Sequence, residues 1–487
     1  MQGGGGDKIV PKRFCETLKV LTDRAPCRAF DAVDCVLQED LGASGLELFA
    51  SVDPQPIAAA SLAQVHCAVT KNGQRVALKV QYPELRANMA SDLAVFRTMG
   101  ASMRPGGMDL SWMLDDFERF LTAEVDFRGE ADNTEAAKAL LAHRPDVHVP
   151  TVLRELSSGR VLCTTFVDGL VRVDDVEALS AAGLRAMAVG DVMASTFAEM
   201  ALCAGRVHGD PHAGNVYVRA QPAPEQLLLH SPQARAARAL ISGADALRGA
   251  SPAAAARLAA LASRVAPPSV LPQLVLLDHG LYHTLDASAR RSLCALFLAS
   301  VAAQPERMRS ASAALSGAAS SPLERFFPLV LSHWFIFGVG VWAVTPAELM
   351  AARQGRMPPG LTLSDLSDFL TGLHGAGGNI MGVLHSLGYT RGLLNALRYP
   401  ERRRLRALAS FAAQGLADDG DRDAGARAVV ALSCQLAALR ADALAWLLLP
   451  SLTLLLPLYY ALKMHHDLVA LAALTVAIVY ALLFAKV

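Results

Sequence analysis

The stretch 206–218 reads RVHGDPHAGNVYV and holds an acidic and an amide side chain at a spacing that could serve phosphoryl transfer. Asp210 and Asn215 lie five residues apart, and the proline and glycine between them favour a tight loop. An aspartate near an acceptor hydroxyl and an asparagine that binds a metal ion have this spacing in phosphoryl-transfer enzymes. The apolar run 216–218 predicts a strand that leaves the loop. Because the spacing alone is weakly specific, its value depends on a lysine upstream and a second acidic metal ligand downstream.

A lysine of the required kind lies upstream. The string VALKVQ at 76–81 follows an Asn-Gly hairpin signal, so it predicts a strand with Lys79 inside it. A strand, a tight turn and V-A-x-K are how kinases present the lysine that contacts the nucleotide phosphates. An ordinary strand with an exposed lysine is the alternative. Small side chains before this strand would let backbone amides approach a nucleotide, although alanine is stiffer than glycine. These residues are Ala58, Ala59, Ala60 and Ser61.

The second acidic residue ends a downstream apolar run. The string LVLLDHGLY at 274–282 places Asp278 in a D-x-G turn, with His279 where phenylalanine is usual. A D-x-G turn after an apolar strand is common, so the order of the motifs carries the inference. Lysine, aspartate, asparagine and aspartate follow one another here in the kinase order.

Kinases also need a glutamate that orients the strand lysine. The stretch 121–133, LTAEVDFRGEADN, offers three acidic candidates besides its last aspartate, and we take Glu124 for this role. Glu124, Asp126 and Glu130 could equally form a solvated helix face. The choice of Glu124 therefore needs the structure.

Composition narrows the class of protein. The 487 residues are 53% hydrophobic, and 45 Lys+Arg balance 45 Asp+Glu, so no charge excess attracts nucleic acid. The eight cysteines include no C-x-x-C pair, which argues against a zinc site or a disulfide framework. A reducing compartment follows as the default. No secretory signal opens the chain.

Residues 220–272 interrupt the motifs with Ala, Pro, Ser and Arg. This composition predicts a partly disordered excursion with one Ala-rich helix around 233–264 and no chemistry of its own. We expect residues 222–270 to loop out between the strands that follow Asn215 and precede Asp278.

Two uncharged apolar segments close the chain, at 443–462 and 468–485. About 20 apolar residues span a bilayer core, and a link of five residues joins these two segments. The sequence therefore predicts a transmembrane helical hairpin. The apolar run 326–344 is instead predicted to be a buried helix between amphipathic helices.

The motifs together resemble a known family. In order, they are AAASLAQVH, VALKVQYP, AEVDF..EA.N, HGDPHAGN and LLDHGLY, and they resemble the aarF/UbiB (ADCK) family of atypical kinases over residues 14–300. The string DHGLY is similar to that of the aarF-domain kinases distinct from the coenzyme Q-linked ones. The resemblance implies a kinase-like fold with an Ala-rich loop over the nucleotide. It implies these roles: nucleotide lysine at Lys79, its partner at Glu124, catalytic-loop aspartate at Asp210, and metal ligands at Asn215 and Asp278.

Two departures from the family pattern stand out. Ala213 replaces a proline of the H-x-D-P-H-P-G-N motif, from which we expect little effect. The family's N-terminal K-x-G-Q signature is not found, and the homologous region begins near Lys8. Either the sequence is truncated or this member lacks the helix that covers the site. The family is tied to quinone and lipid homeostasis in mitochondria and plastids, which implies an organelle membrane.

We therefore expect an α+β, two-lobed, protein-kinase-like fold with a C-terminal transmembrane hairpin. The expected cofactors are Mg²⁺ and ATP or ADP, and the partners are the nucleotide, a membrane and an unknown protein or lipid acceptor, with no nucleic acid. The predicted domains are an N-terminal helical extension (1–56), an N-lobe with a helical insert (57–170), a C-lobe with the insertion (171–440) and the hairpin (441–487).

Two other functions remain open at this point. A pseudokinase scaffold would bind nucleotide or lipid without turnover, because an Ala-rich loop need not position a γ-phosphate. A metal-dependent hydrolase would use a cluster of nitrogen and oxygen ligands suited to zinc or iron, but it gives Lys79 no role. That cluster would comprise His208, Asp210, His212, Asp278, His279 and His283.

Overall fold

A computed structural model gives the fold of this chain. It describes residues 27–417 except 60–61, most of 86–124, 225–231, 250, 266–267, 302–303 and most of 317–378. The chain divides into two compact units, Met1–Ala424 and Gly425–Val487, and every described residue belongs to the first. The apolar segments 326–344, 443–462 and 468–485 lie outside the described residues, so the predicted hairpin stays a prediction.

The N-terminal part is built around an antiparallel sheet. Its strands follow the order β1-β3-β4-β6, and the short β2 pairs with the first residues of β3, on the edge of β3 that does not pair with β4. The bounds are β1 Phe49–Val52, β2 Ala58–Ala59, β3 Ala63–Thr70, β4 Arg75–Gln81 and β6 Val161–Thr165. The Asn-Gly turn between β3 and β4 is confirmed: Gly73 has φ 86°, a value that favours glycine.

Strand alternation decides which side of β4 faces the core. Val76, Leu78 and Val80 are fully buried and pack in one cluster with helix α1, Phe30–Leu41. Lys79 lies between two of these residues, so its side chain leaves on the opposite face of the sheet. Helix α1 packs on this sheet and β1 is one of its strands. Both lie within residues 1–56, the range that the sequence predicts to be an N-terminal helical extension.

Two further helices complete this part of the chain. The four-residue helix α2, Gly45–Leu48, leads directly into β1, and the longer α3, Phe127–Leu140, packs against β6. Phe127 and Ala131 of α3 are buried in a small cluster with Leu162 of β6. This packing holds α3 close to the sheet, with Lys79 on the neighbouring strand.

The C-terminal part combines helices with two small sheets. One sheet has the order β5-β10-β9-β7, and the other pairs β8 with β11. The strand bounds are β5 Val147–His148, β7 Val171–Arg172, β8 Arg206–His208, β9 Val216–Pro222, β10 Val270–Leu276 and β11 Tyr282–Thr284. Outside the insertion, the α-helices of the described residues in this part are α4 Val176–Ala181, α5 Ala186–Glu199, α8 Ala287–Val301, α9 Pro305–Ser316, α10 Ile380–Ala396 and α11 Glu401–Ala417.

Helix α5 forms the centre of this second core. Val189, Met193 and Phe197 are at most 1% exposed, and the helix continues through a π-turn, Met200–Ala204. Among the described residues, Ala186–Ala204 is the one helix long and apolar enough to cross a membrane by length and composition. More than half of it is buried within the fold, so core packing already accounts for its apolar character.

The insertion differs from its prediction. It forms two helices, α6 Pro232–Leu247 and α7 Pro252–Val265, rather than one helix around 233–264. These helices pack on each other through small side chains, of which Ala237, Ala244 and Ala262 are buried. Alanine has the highest helix propensity and lets two helices approach closely, so this composition stabilises a helical hairpin.

Candidate functional site

Lys79 is held by a buried carboxylate. Its Nζ lies 2.9 Å from Oε1 and 2.8 Å from Oε2 of Glu130, which is only 5% exposed. The ring of Phe127 lies 4.9 Å from the same Nζ, so the ammonium also meets an aromatic face. The carboxylate of Asp278 lies 3.4 Å away on the more open side. The lysine therefore sits between two acidic groups, one on a helix and one on a loop.

The helix cap explains why Glu130 reaches this position. The side chain of Asp126 accepts a hydrogen bond from Arg128 N at 3.1 Å and caps the N-terminus of α3. The first turn of α3 then directs Glu130 towards β4. Glu124, our sequence-based candidate, lies outside the described residues. From the sequence we preferred Glu124 to Glu130. The aspartate at position 126, which precedes a run with apolar residues at helical spacing, was a usable signal for the start of this helix.

Lys79, Glu130 and Asp278 shift one another's pKa values. Burial and the nearby Asp278 raise the pKa of Glu130 to about 7, against the opposing pull of Lys79. Burial acts to lower the pKa of Lys79, but the attraction of Asp278 and Glu130 outweighs it and holds that pKa above its usual range. Partial removal from water acts to raise the pKa of Asp278, whose side chain is still 45% exposed, yet Lys79 and His208 hold that pKa below its usual range. Lys79 is therefore charged, and Glu130 is the carboxylate that is hardest to ionise.

The predicted catalytic loop follows β8. Asp210 keeps an open side chain, 44% exposed, with His212 Nε2 at 3.6 Å from its Oδ2. Asn215 is 7% exposed and donates its side-chain N–H to the carbonyl of Asp210 at 3.1 Å. That bond occupies the amide nitrogen and leaves the amide oxygen as the group that could bind a metal ion. The loop thus offers one accessible carboxylate and one oriented amide.

Strand pairing brings Asn215 and Asp278 together. Strand β9 starts directly after Asn215, β10 ends two residues before Asp278, and the two strands pair in register from Val216 opposite Leu276. The backbone N of Leu277 donates to Asn215 O at 2.9 Å. The insertion leaves from the far ends of the same strands, at Pro222 opposite Val270. The insertion therefore lies between the far ends of the two strands, and its length does not separate Asn215 from Asp278.

Two buried histidines fix the backbone before Asp278. His208 Nε2 lies 3.1 Å from Leu277 O, and His279 Nε2 lies 3.1 Å from Leu276 O. Because a carbonyl only accepts, both Nε2 atoms carry the proton. The Nδ1 of His208 then accepts from Asp210 N at 3.2 Å. Burial lowers the pKa of both imidazoles, that of His279 to about 3, so both rings are neutral.

Asp278 itself adopts a conformation that few non-glycine residues use. Its φ is 54°, in the left-handed region, and its Oδ1 accepts from Gly280 N at 3.3 Å. Aspartate tolerates this region better than most residues because its short side chain bonds locally. The turn directs a carboxylate that is 45% exposed towards Lys79.

The structure places part of the Ala-rich segment. Ala58 and Ala59 form β2 and pair with Val65 and Gln64 of β3. Ala60 and Ser61 lie outside the described residues. The segment therefore precedes the strand next to β4, which is the position that a phosphate-contacting loop requires relative to Lys79. Its contact with a nucleotide stays a prediction.

The arrangement does not favour the hydrolase alternative. Within the described part of the chain, which includes all six residues of the suggested cluster, no three His, Cys, Asp or Glu side chains are grouped as metal ligands. Both ring nitrogens of His208 are engaged in the hydrogen bonds described above, and those of His279 are engaged with Leu276 O and with the Tyr282 hydroxyl. The two residues that strand pairing brings together suit a hard cation instead: a carboxylate, as in Asp278, and an amide oxygen, as in Asn215, resemble the oxygen ligands that Mg²⁺ uses beside substrate phosphates.

A strand lysine paired to a helix glutamate, an Asp–Asn loop after a strand and a strand-end aspartate match the arrangement of a protein-kinase-like site. Sequence comparison agrees, because residues 20–235 match the ABC1 atypical kinase-like domain. This part of the chain is therefore similar to the aarF/UbiB (ADCK) family of atypical kinase-like proteins.

Named relatives support this assignment. The chain is 34% identical to a Dictyostelium discoideum protein named "Probable serine/threonine-protein kinase abkD", over 59% of this chain and 35% of that protein. It is 30% identical to AarF domain-containing protein kinase 1 of Xenopus tropicalis, over 66% of this chain and 53% of the relative. The chain thus spans about a third to a half of the length of these relatives.

Among solved structures, the chain is similar to Rv3197 of Mycobacterium tuberculosis in complex with erythromycin. The TM-score is 0.46 at 18% identity, with 80% of this chain and 88% of that chain covered.

Proposed function

We propose that this chain binds Mg-ATP or Mg-ADP and acts as an atypical kinase or ATPase. The observation that carries the proposal is the position of Lys79, 2.8 Å from Glu130 and 3.4 Å from Asp278. A kinase needs this lysine paired to a helix glutamate and close to the metal-binding aspartate at the same time. Glu130 and Asp278 lie far apart in the chain, and the fold brings both carboxylates to the same lysine, which an ordinary surface ion pair does not require.

Each side chain has a distinct task in this proposal. Lys79 would contact the α- and β-phosphates, while Glu130 holds its ammonium in place. Asn215 and Asp278 would hold Mg²⁺, which supplies charge neutralisation for the phosphates when it is bound. Asp210 would orient or deprotonate the acceptor hydroxyl or a water molecule, and its exposure leaves room for either.

The test is metal-dependent nucleotide binding by the full chain. ATP affinity is measured by titration with and without Mg²⁺ in the wild type and in Asp278→Asn, which removes the negative charge of one metal ligand at nearly constant volume. We expect Asp278→Asn to lose most of the affinity that Mg²⁺ adds. Asp132→Asn is the matched control, because Asp132 is 72% exposed and pairs only at the surface with Arg154. An unchanged Mg²⁺ effect in Asp278→Asn would refute the assignment.

Turnover separates the enzyme from a pseudokinase scaffold. The Ala-rich segment favours the scaffold, since stiffer residues replace the glycines of a phosphate loop. Supplying labelled Mg-ATP to the chain together with membranes, and following both ADP and labelled products, distinguishes transfer to a protein, transfer to a lipid and hydrolysis. Nucleotide binding without ADP formation would favour the scaffold.

We also propose an organelle membrane, mitochondrial or plastid, and a role in lipid or quinone homeostasis. This part rests on the family resemblance and on the apolar segments 443–462 and 468–485. A hairpin anchor predicts that deleting the residues after Ala441 releases a soluble, nucleotide-binding protein. Removal of the full chain from membranes by alkaline carbonate would contradict the anchor.

A further inference from the structure

Asn133 joins three segments that the proposed mechanism uses. It lies on α3, three residues after Glu130 and therefore on the same face of the helix. Its Nδ2 donates to the carbonyl of His279 at 2.9 Å, and its Oδ1 accepts from the guanidinium of Arg206 at 2.6 Å. Arg206 opens β8, the strand that leads into the catalytic loop, and His279 directly follows Asp278.

The chemistry of these contacts calls for an amide. Arg206 only donates and the His279 carbonyl only accepts, so the side chain between them must present one acceptor and one donor. A carboxylate would satisfy Arg206 but would set a negative oxygen against the carbonyl. A glutamine would be one methylene longer.

The partners of Asn133 are themselves fixed. The Arg206 guanidinium lies 4.9 Å from the ring centroid of Tyr282, and the Tyr282 hydroxyl donates to His279 Nδ1 at 2.8 Å. The His279 carbonyl belongs to the peptide that follows Asp278, the residue with φ 54°. Holding that carbonyl limits how far the Asp278 carboxylate can turn from Lys79.

We propose that Asn133 is a positioning residue for the metal-bound nucleotide: it couples the helix that holds Lys79 to the loop that presents Asp278. This inference rests on the proposed function. Glu130 and Asn133 act on different partners, since the first orients the lysine and the second orients the metal-binding loop. Loss of Asn133 is therefore expected to weaken the contribution of Mg²⁺ more than the contribution of Lys79.

The experiment compares ATP affinity with and without Mg²⁺ in the full chain and in two variants. Asn133→Ala removes both contacts, whereas Asn133→Asp keeps the contact with Arg206 and loses the donor to His279. In both variants we expect the Mg²⁺-dependent gain in affinity to fall about fivefold to tenfold, the effect of one hydrogen bond, with Mg²⁺-free affinity nearly unchanged. Glu135→Gln is the control on the same helix, because Glu135 is 49% exposed and pairs with Arg154.

The outcomes separate this inference from the function on which it rests. If the wild type shows no Mg²⁺-dependent binding, the proposed function fails and the inference fails with it. If the wild type binds and both folded Asn133 variants keep the Mg²⁺ effect within about twofold, below the size of one hydrogen bond, only the inference is refuted. An equal loss with and without Mg²⁺ would also overturn it, because that result describes a general packing role. Melting temperatures, measured in parallel, identify a variant that fails to fold, and Asn133→Asp then carries the test.

Discussion

Gly382, near the start of α10, lies directly against the imidazole ring of His283. A Cβ atom at position 382 would overlap that ring, so only glycine allows the helix to approach β11 this closely. The same helix reaches the end of β8, directly before the predicted catalytic loop, because Ser386 Oγ donates to His208 O at 2.6 Å. Close contact at Gly382 therefore helps to hold α10 beneath the loop that carries Asp210.

Alanine substitutions at two glycines of α10 should have opposite effects on stability. Gly382→Ala should destabilise the fold by about 1–3 kcal/mol, because the new methyl group must displace a buried ring. Gly388→Ala should stabilise it by about 0.5–1 kcal/mol, since nothing lies within 4 Å of the added atom and alanine favours the helix. Chemical denaturation of both variants checks this. Equal effects at the two positions would mean that α10 does not pack on His283 as described.

Glu130→Gln should lower ATP affinity about tenfold to a hundredfold, the range of a charge-assisted hydrogen bond. The amide keeps the volume but removes the charge that fixes the lysine, and Lys79 then turns towards Asp278. Titration calorimetry measures the change. Glu124→Gln is the informative comparison, because it tests the residue that the sequence favoured. A larger loss from Glu124→Gln than from Glu130→Gln would restore the earlier assignment.

Local sequence was sufficient to place the residues that lie in short motifs on their strand, loop and turn. Lys79, Asn215 and Asp278 sit in strings that specify a strand, a loop and a turn, and the structure puts them at those positions. The glutamate required knowledge of where α3 begins, which Asp126 decides by capping it. Asn133 was out of reach for a different reason: its partner carbonyl lies 146 residues away, and no local pattern encodes that contact.

The insertion shows a different limit of sequence reasoning. Its low complexity suggested partial disorder, but a chain rich in alanine gives up little side-chain entropy when it forms helices. Two helices then bury their small residues against each other. Composition alone did not distinguish this helical hairpin from a disordered excursion.

His66 should make stability depend on pH below neutrality. It is fully buried on β3, where its Nδ1 donates to Asp53 O at 2.8 Å and its Nε2 accepts from Gln64 Nε2 at 2.9 Å. Burial lowers the pKa of this imidazole from its usual 6.5. The unfolded chain then binds the proton more readily, so the contribution of His66 is present above about pH 6.5 and is lost as pH falls.

Denaturation between pH 5 and pH 8 measures this dependence. We expect His66→Phe to reduce the slope of unfolding free energy against pH by up to about 1.4 kcal/mol per unit, the limit for one proton. The absolute stability of the variant also falls, since two hydrogen bonds are lost, so the slope is the relevant quantity. An unchanged slope would show that other buried histidines account for the acid sensitivity.

Replacing residues 224–268 with a short Gly/Ser linker should leave ATP affinity unchanged. The helices α6 and α7 pack chiefly on each other, and β9 and β10 pair as far as Pro222 and Val270 before the insertion begins. Asn215 and Asp278 lie at the opposite ends of those strands, so the register that brings them together does not need the helices. Closing the strands with a shorter loop changes the entropy little, because loop cost grows only with the logarithm of length. A linker of about five residues suits an antiparallel pair.

The affinity for Mg-ATP is measured by titration calorimetry, and thermal melting is recorded on the same preparation. A weaker affinity in a protein that still melts cooperatively would mean that the insertion contacts the nucleotide or its loop, and a loss of cooperative melting would mean that it stabilises the kinase-like core.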